Sequence, residues 1–134
     1  MSDFNIAVKA FIVKEGKVLV IKRRPNDPHS PGIWDIPGGR IEEGENPYDG
    51  LTREVKEEVN LEVNIKVPLY VDYFTRDDGQ KITMLIFVCS PISKDVRLSE
   101  EHTAFEWVEI ENAKEKFEKH FYILIDNYLR YFKK

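Results

Sequence analysis

The sequence predicts an α/β protein, in the α+β sense, with one mixed β-sheet packed between helices. Three observations predict it. Several β-rich apolar runs are separated by short turn signals, one helical pattern interrupts them mid-chain, and a second helical face closes the chain. At 134 residues the chain suits a single domain spanning 1–134, long enough to bury a core without staples.

The elements follow in order. Phe4 to Val13 is an apolar strand, Lys14-Glu15-Gly16-Lys17 a hairpin turn, and Val18 to Lys22 the returning strand. Arg23 to Gly32 is a loop, because Pro25, Pro28 and Pro31 exclude regular structure. Ile33 to Pro37 is a short strand running into Gly38-Gly39. Asn46-Pro47 starts a helix, Asn suiting the N-cap and Pro the first turn. Leu51, Val55 and Val59 form its core stripe, and Asn60 ends it, since Asn tolerates the left-handed conformation. Leu61 to Thr75 and Lys81 to Ser90 are strands joined through Asp78-Gly79. Phe105 to Ile110 is a further strand. From Ala113 onward, Phe117, Phe121, Leu124, Ile125, Tyr128 and Phe132 line one face of a terminal helix.

Composition narrows the function classes. The net charge of −4 carries no basic footprint for a nucleic-acid polymer, while a free nucleotide stays compatible with it. Cys89, the only cysteine, lies in an apolar strand and reads as packing. With no disulfide, no apolar signal segment and no run of membrane-spanning length, the expectation is a cytoplasmic protein with no membrane partner.

The run Gly39 to Leu61 carries the chemistry. Glu54, Glu57 and Glu58 sit at i, i+3 and i+4 and share a helix face. Like charges at that spacing repel by roughly 0.2–0.5 kcal/mol per pair. A divalent cation would offset this, and hard oxygen ligands favour Mg²⁺ or Mn²⁺.

These residues closely resemble the Nudix box, G-x5-E-x7-R-E-U-x-E-E-x-G-U, where U is a bulky aliphatic. Gly39, Glu45, Arg53, Glu54, Glu57 and Glu58 match its fixed positions, and Val55 and Leu61 two aliphatic ones. Asn60 stands where the family usually has Gly, at a position where positive φ is expected. The resemblance implies an α/β/α sandwich around a mixed sheet, and hydrolysis of a pyrophosphate bond in a nucleoside diphosphate linked to another group. It implies that Glu54, Glu57 and Glu58, with the Gly38 carbonyl, bind the metal, with Mg²⁺ expected and Mn²⁺ the alternative. Arg53 and Glu45 are implied supports, Arg53 orienting the carboxylates, and Gly39 belongs to the motif's turn. A homodimer is compatible with the family, although no feature of the sequence fixes an interface.

Outside the box, the resemblance to MutT-like members points to a loop glutamate before the Trp107 strand. Glu101 fits best and Glu100 is the runner-up, against a plain solvated acidic loop; His102 reads as a loop histidine without a role. Arg24 and His29 stand at offsets where such members meet phosphate or base. Arg23 and Arg24 point to opposite faces of a strand, and Arg24 is the one preferred for the site. Trp34 and Trp107 read as core, while only one of Tyr73 and Phe74 can face a given side. Length and these offsets favour a MutT-like (d)NTP pyrophosphohydrolase. ADP-ribose or nucleotide-sugar hydrolysis is the alternative, and a non-catalytic nucleotide-binding module is the alternative of another class.

Overall fold

The computed structural model describes residues 4–93 and 95–132. The elements are β1 (Phe4–Lys14), β2 (Lys17–Arg23), β3 (Trp34–Asp35), β4 (Gly38–Arg40), α1 (Pro47–Val59), β5 (Val63–Thr75), β6 (Lys81–Pro91), β7 (His102–Glu109) and α2 (Tyr122–Phe132). Two 3₁₀ turns, Ile110–Glu115 and Lys119–Phe121, lie between β7 and α2.

Strand order across the sheet is β3-β2-β1-β6-β5, with β4 also on β1 and β7 also on β2. β1 and β6 run parallel and the remaining pairs antiparallel, so the sheet is mixed. β1 is buried on both faces, which is why Ala7 to Ile12 reads as an almost unbroken apolar run. Its alternate residues feed two cores. Val8, Ala10 and Ile12 meet Leu51, Val55 and Val59 of α1. Phe11 meets Phe117, Phe121, Leu124 and Ile125 on the other face. Each buried Val, Leu, Ile or Phe side chain among them contributes about 1.5–3 kcal/mol of transfer free energy.

α1 begins and ends where its sequence dictates. The Asn46 side chain accepts the Asp49 N–H at 2.9 Å. Asn60 closes the helix in the left-handed region, φ 61°, its N–H on the Lys56 carbonyl. At the β1–β2 turn Glu15 and Gly16 both have positive φ, as a two-residue hairpin loop of this hand requires. Among the described residues β5 pairs only with β6, and as an edge strand it tolerates Pro68 beside register shifts.

The topology opens a fork. β1 and β2 pair only at Val13↔Val18 and Lys14↔Lys17, next to their turn. Farther along, β1 pairs with β4 and β2 with β3, so residues 34–40 bridge two diverging strands.

Three expectations need correction. The stretch Ile33 to Pro37 is not one strand: β3 holds two residues, and the chain crosses the fork through Pro37, which has no N–H for a ladder, before β4 begins. β7 starts earlier than Phe105, at His102, and ends at Glu109, because the ladder with β2 extends to Arg23↔His102. The terminal helix does not start near Ala113. Glu118 is extended (φ −74°, ψ 160°), and the interruption lets Phe117 and Phe121 both enter the core, ring centroids 5.3 Å apart. Tertiary packing overrides the helical period there, and α2 starts at Tyr122.

Candidate active site

The turn before α1 is built by two glycines with different jobs. Gly38 has φ 145°, and a Cβ there would stand 2.0 Å from the Val8 carbonyl oxygen. Gly38 faces Lys9 at a position between the ladder bonds Ala10 N–H to Pro37 O and Ile41 N–H to Ile6 O. Its own N–H and C=O therefore point away from β1. The N–H donates to Glu58 Oε1 at 3.0 Å. Gly39 makes room for Glu54: a Cβ would lie 2.5 Å from Glu54 Oε1.

Arg53 uses all five of its N–H groups. Nε and Nη2 hold Glu45 bidentately at 2.9 Å each. Nη1 reaches Glu54 Oε2 at 3.0 Å and Glu57 Oε1 at 3.2 Å, and Nη2 also reaches the Arg40 carbonyl. Glu45 also takes the Glu42 N–H, and with Arg53 this holds its carboxyl down to about 2. Gly50, inside α1, is a residue the sequence reading passed over. A Cβ there would meet Ile41 Cγ2 at 2.5 Å and Glu45 Oε1 at 3.1 Å, so the Glu45 loop can lie close on the helix.

Electrostatics separates the three helix carboxylates. Burial pushes Glu58 up to about 7, against the opposing pull of Lys9 and the Gly38 N–H. Burial also raises Glu54 despite Arg53. The Glu57 side chain is 60% exposed. Among the described residues, no three His, Cys, Asp or Glu side chains stand grouped as a metal cage. Glu54 and Glu57 are turned onto Arg53 while Glu58 is on Gly38. The donor set still fits a hard divalent cation: it is all oxygen, and nearby positive charge does not hold buried Glu58 or half-buried Glu54 at ordinary acidity.

Beneath them a charged network fills the fork. Lys9, 5% exposed, donates to Asp35 Oδ2 at 3.1 Å and to the Ile36 carbonyl at 3.2 Å. Arg23 grips the same Asp35 oxygen through Nε (3.0 Å) and Nη2 (2.8 Å), and Asp27 through Nη1. Burial opposes the Asp35 charge, but Lys9, Arg23 and the Ile36 N–H outweigh it and hold the carboxyl below its usual range. His102, opposite Arg23 in the ladder, is buried, its Nδ1 has no partner among the described residues, and burial pushes it down to about 4.

A cavity of about 550 Å³ opens from Gly38 and Gly39 across the sheet. Lys9, Arg23, His29 and Asp35 line its near side, Asp72, Phe74 and Arg76 its far wall, and His120 and Phe121 its roof. The predicted residues distribute unevenly over it. His29 lines it, its Nδ1 2.9 Å from Asp77 Oδ1. Arg24 does not line it; Arg23 does, because it shares the strand face of Ile21, whose partner is Asp35. Arg24 instead anchors the loop: its N–H donates to the Glu101 carbonyl, and its own carbonyl accepts from Asp27 and Gly32. Glu101 is exposed and outside the cavity lining, in a turn tied to α1 by Ser99 N–H on the Glu58 carbonyl. Phe74 lines the cavity and Tyr73 points to the other face. Trp34 and Trp107 pack against the two cores.

A glycine turn feeding a carboxylate helix, clamped by one arginine at a cavity mouth, is the arrangement of a Nudix-type site. A NUDIX domain model matches residues 3–128. A MutT-like protein of Streptomyces ambofaciens is 33% identical over 116 residues, covering 84% of this chain and 68% of that protein. An ADP-ribose pyrophosphatase of Methanocaldococcus jannaschii is 31% identical over 109 residues, covering 80% of this chain and 63% of that one. The crystal structure of a MutT protein from Methanosarcina mazei Go1 superimposes with a TM-score of 0.87 at 29% identity, covering 98% of this chain and 96% of that one. The chain belongs to the NUDIX domain family. Some curated relatives are longer: it spans only 33% of an octanoyltransferase of Myxococcus xanthus, to which it is 34% identical over 120 residues.

Proposed function

We propose that this protein is a divalent-metal-dependent hydrolase of a pyrophosphate bond in a nucleoside diphosphate derivative, with a (d)NTP yielding NMP and pyrophosphate as the favoured reaction. The Arg53 clamp carries this reading: four hydrogen bonds hold Glu45, Glu54 and Glu57, and Glu54 lies against Gly39, which with Arg40 lines a cavity large enough for a nucleoside. Glu54, Glu57, Glu58 and the outward-facing Gly38 carbonyl would hold the ion, Mg²⁺ in the favoured reading. When bound, it would neutralise phosphate charge and acidify water.

The chain's own residues do the rest. Arg53 orients Glu54 and Glu57, and Gly39 leaves space for the Glu54 carboxylate. Arg40 lines the mouth, exposed, and is a cation for the outgoing phosphates. Water adds to one phosphorus as the bridging P–O bond breaks. The water's proton passes to Glu54 or Glu57, the two carboxylates that Arg53 Nη1 orients. His29 and Arg23 bound the near wall, so sugar or phosphate contacts fall to them before Arg24. Glu101, in the turn that Ser99 ties to the end of α1, is the further carboxylate that would assist.

The test is a product-resolved panel of (d)NTPs, ADP-ribose, nucleotide sugars and dinucleoside polyphosphates, with and without Mg²⁺. Metal-dependent release of NMP and pyrophosphate is the expected result. Cleavage of ADP-ribose or a sugar nucleotide alone would keep the helix roles and overturn the triphosphate assignment. Nucleotide binding without turnover would replace the enzyme by a binding module.

A further inference from the structure

The far half of the cavity has features the hydrolytic machinery does not use. Asp72, Met84, Ala7 and Arg40 form one register row across β5, β6, β1 and β4. Three strand spacings separate the Arg40 end from Asp72, about 14 Å. That is comparable to the reach of a nucleotide from its phosphate to the far edge of its base. Ala7 keeps the floor low, Met84 adds a polarisable thioether, and Phe74 and Phe121 stand at the wall and roof. Phe74 is 36% exposed, into this space.

The polar groups around it differ in availability. Arg76 is held by Asp78 through two hydrogen bonds, 3.0 and 2.6 Å. Asp77 is engaged by His29. Asp72 gives Oδ1 to the Tyr73 N–H at 2.9 Å, and among the described residues Oδ2 has no protein partner. Glu118 and His120 reach the rim from the roof. An ionised carboxylate only accepts, so Oδ2 favours a ligand edge bearing N–H and disfavours a carbonyl edge.

We propose that Phe74, Phe121 and the Ala7–Met84 floor form a nucleobase slot in which Asp72 accepts from an exocyclic amino group, making the protein selective for amino-bearing over keto-bearing bases. The slot rests on the nucleotide reading above but not on hydrolysis. The base enters the far half and the phosphates lie toward Arg40 and α1.

The experiment titrates matched nucleoside monophosphates, AMP against IMP and CMP against UMP, into the wild type, Asp72→Asn and Phe74→Ala, alongside kcat/KM for the corresponding triphosphates. The wild type should bind the amino member of at least one pair about tenfold more tightly. Asp72→Asn should bring that ratio to one or below, because the amide whose carbonyl keeps the Tyr73 N–H turns its NH2, a donor, to the base. The Asn carbonyl still accepts the Tyr73 N–H, so folding is retained. Phe74→Ala should weaken both members of a pair by about tenfold without changing their ratio. A wild-type ratio near one, or a ratio that Asp72→Asn leaves unchanged, overturns the slot. Turnover without amino selectivity sinks the slot and spares the hydrolase. Amino-selective binding lost in Asp72→Asn without any turnover does the reverse, and no nucleotide binding sinks both.

Discussion

Glu58→Gln should make the metal-free protein more stable at pH 8. The wild-type carboxyl is 8% exposed and pushed up to about 7 from an ordinary 4.5. Between those values the native state holds a proton that the unfolded chain has released. Stability therefore falls as pH rises from 4.5 to 7 and stays reduced above it. At about 1.4 kcal/mol per pH unit, the cost of the ionised group reaches about 3 kcal/mol at pH 8. Gln keeps the acceptor for the Gly38 N–H and carries no charge, so the variant should recover most of that cost at pH 8 and little at pH 4.5. His102 contributes the opposite slope. Its imidazole is pushed down to about 4, so its share of stability is lost as pH falls from 6.5 through 4. In the wild type the two slopes offset each other. In Glu58→Gln only the raised Glu54 carboxyl still opposes the histidine slope, so stability should rise with pH relative to the wild type between pH 4.5 and 6.5. Urea unfolding in EDTA at half-unit pH intervals measures this directly. A variant no more stable than wild type at pH 8, or one with an unchanged pH slope, would refute the reasoning. Saturating Mg²⁺ should then stabilise the wild type and do much less for the variant.

Three further outcomes are expected. Arg53→Lys loses the fork that holds Glu45, and turnover should fall about 10–100-fold; turnover within twofold of wild type would show that the carboxylates orient themselves. Gly39→Ala places a methyl where Glu54 Oε1 lies, so activity should fall while the melting temperature moves by only a few degrees; equal activity would mean that Glu54 works from another rotamer. Asp35→Asn strands buried Lys9 and should cost about 3–5 kcal/mol, whereas Lys9→Met leaves Asp35 with Arg23 and should cost about 1–3 kcal/mol; denaturation midpoints in the reverse order would contradict the network.

What could be read from the sequence was what is encoded at short range. The box residues announce themselves because a turn, a helix period and two caps all lie within one contiguous run, and Asn60 adopts the positive φ its place demanded. The fork network was invisible because Lys9, Arg23 and Asp35 come from three separate strands, and nothing local says that a lysine in an apolar run will meet a carboxylate 26 positions away. The choice between Arg23 and Arg24 turned on which of them shares a face with Ile21 and Asp35, a fact of pairing rather than of composition. The break at Glu118 escaped notice because Phe117 and Phe121 satisfy a helical period equally well whether or not the chain is helical between them.

That break has a wider consequence. The roof of the cavity hangs from short turns beyond β7 and the far wall from an edge strand, whereas the carboxylates hang from α1 and the turn before it. Recognition and chemistry thus sit on separate parts of the chain. Substitutions at Phe74, Asp72 or His120 can retune what the protein accepts without touching the parts that would break the bond. A directed-evolution library confined to those positions should therefore yield folded, active variants with shifted substrate preference far more often than one spread over the helix.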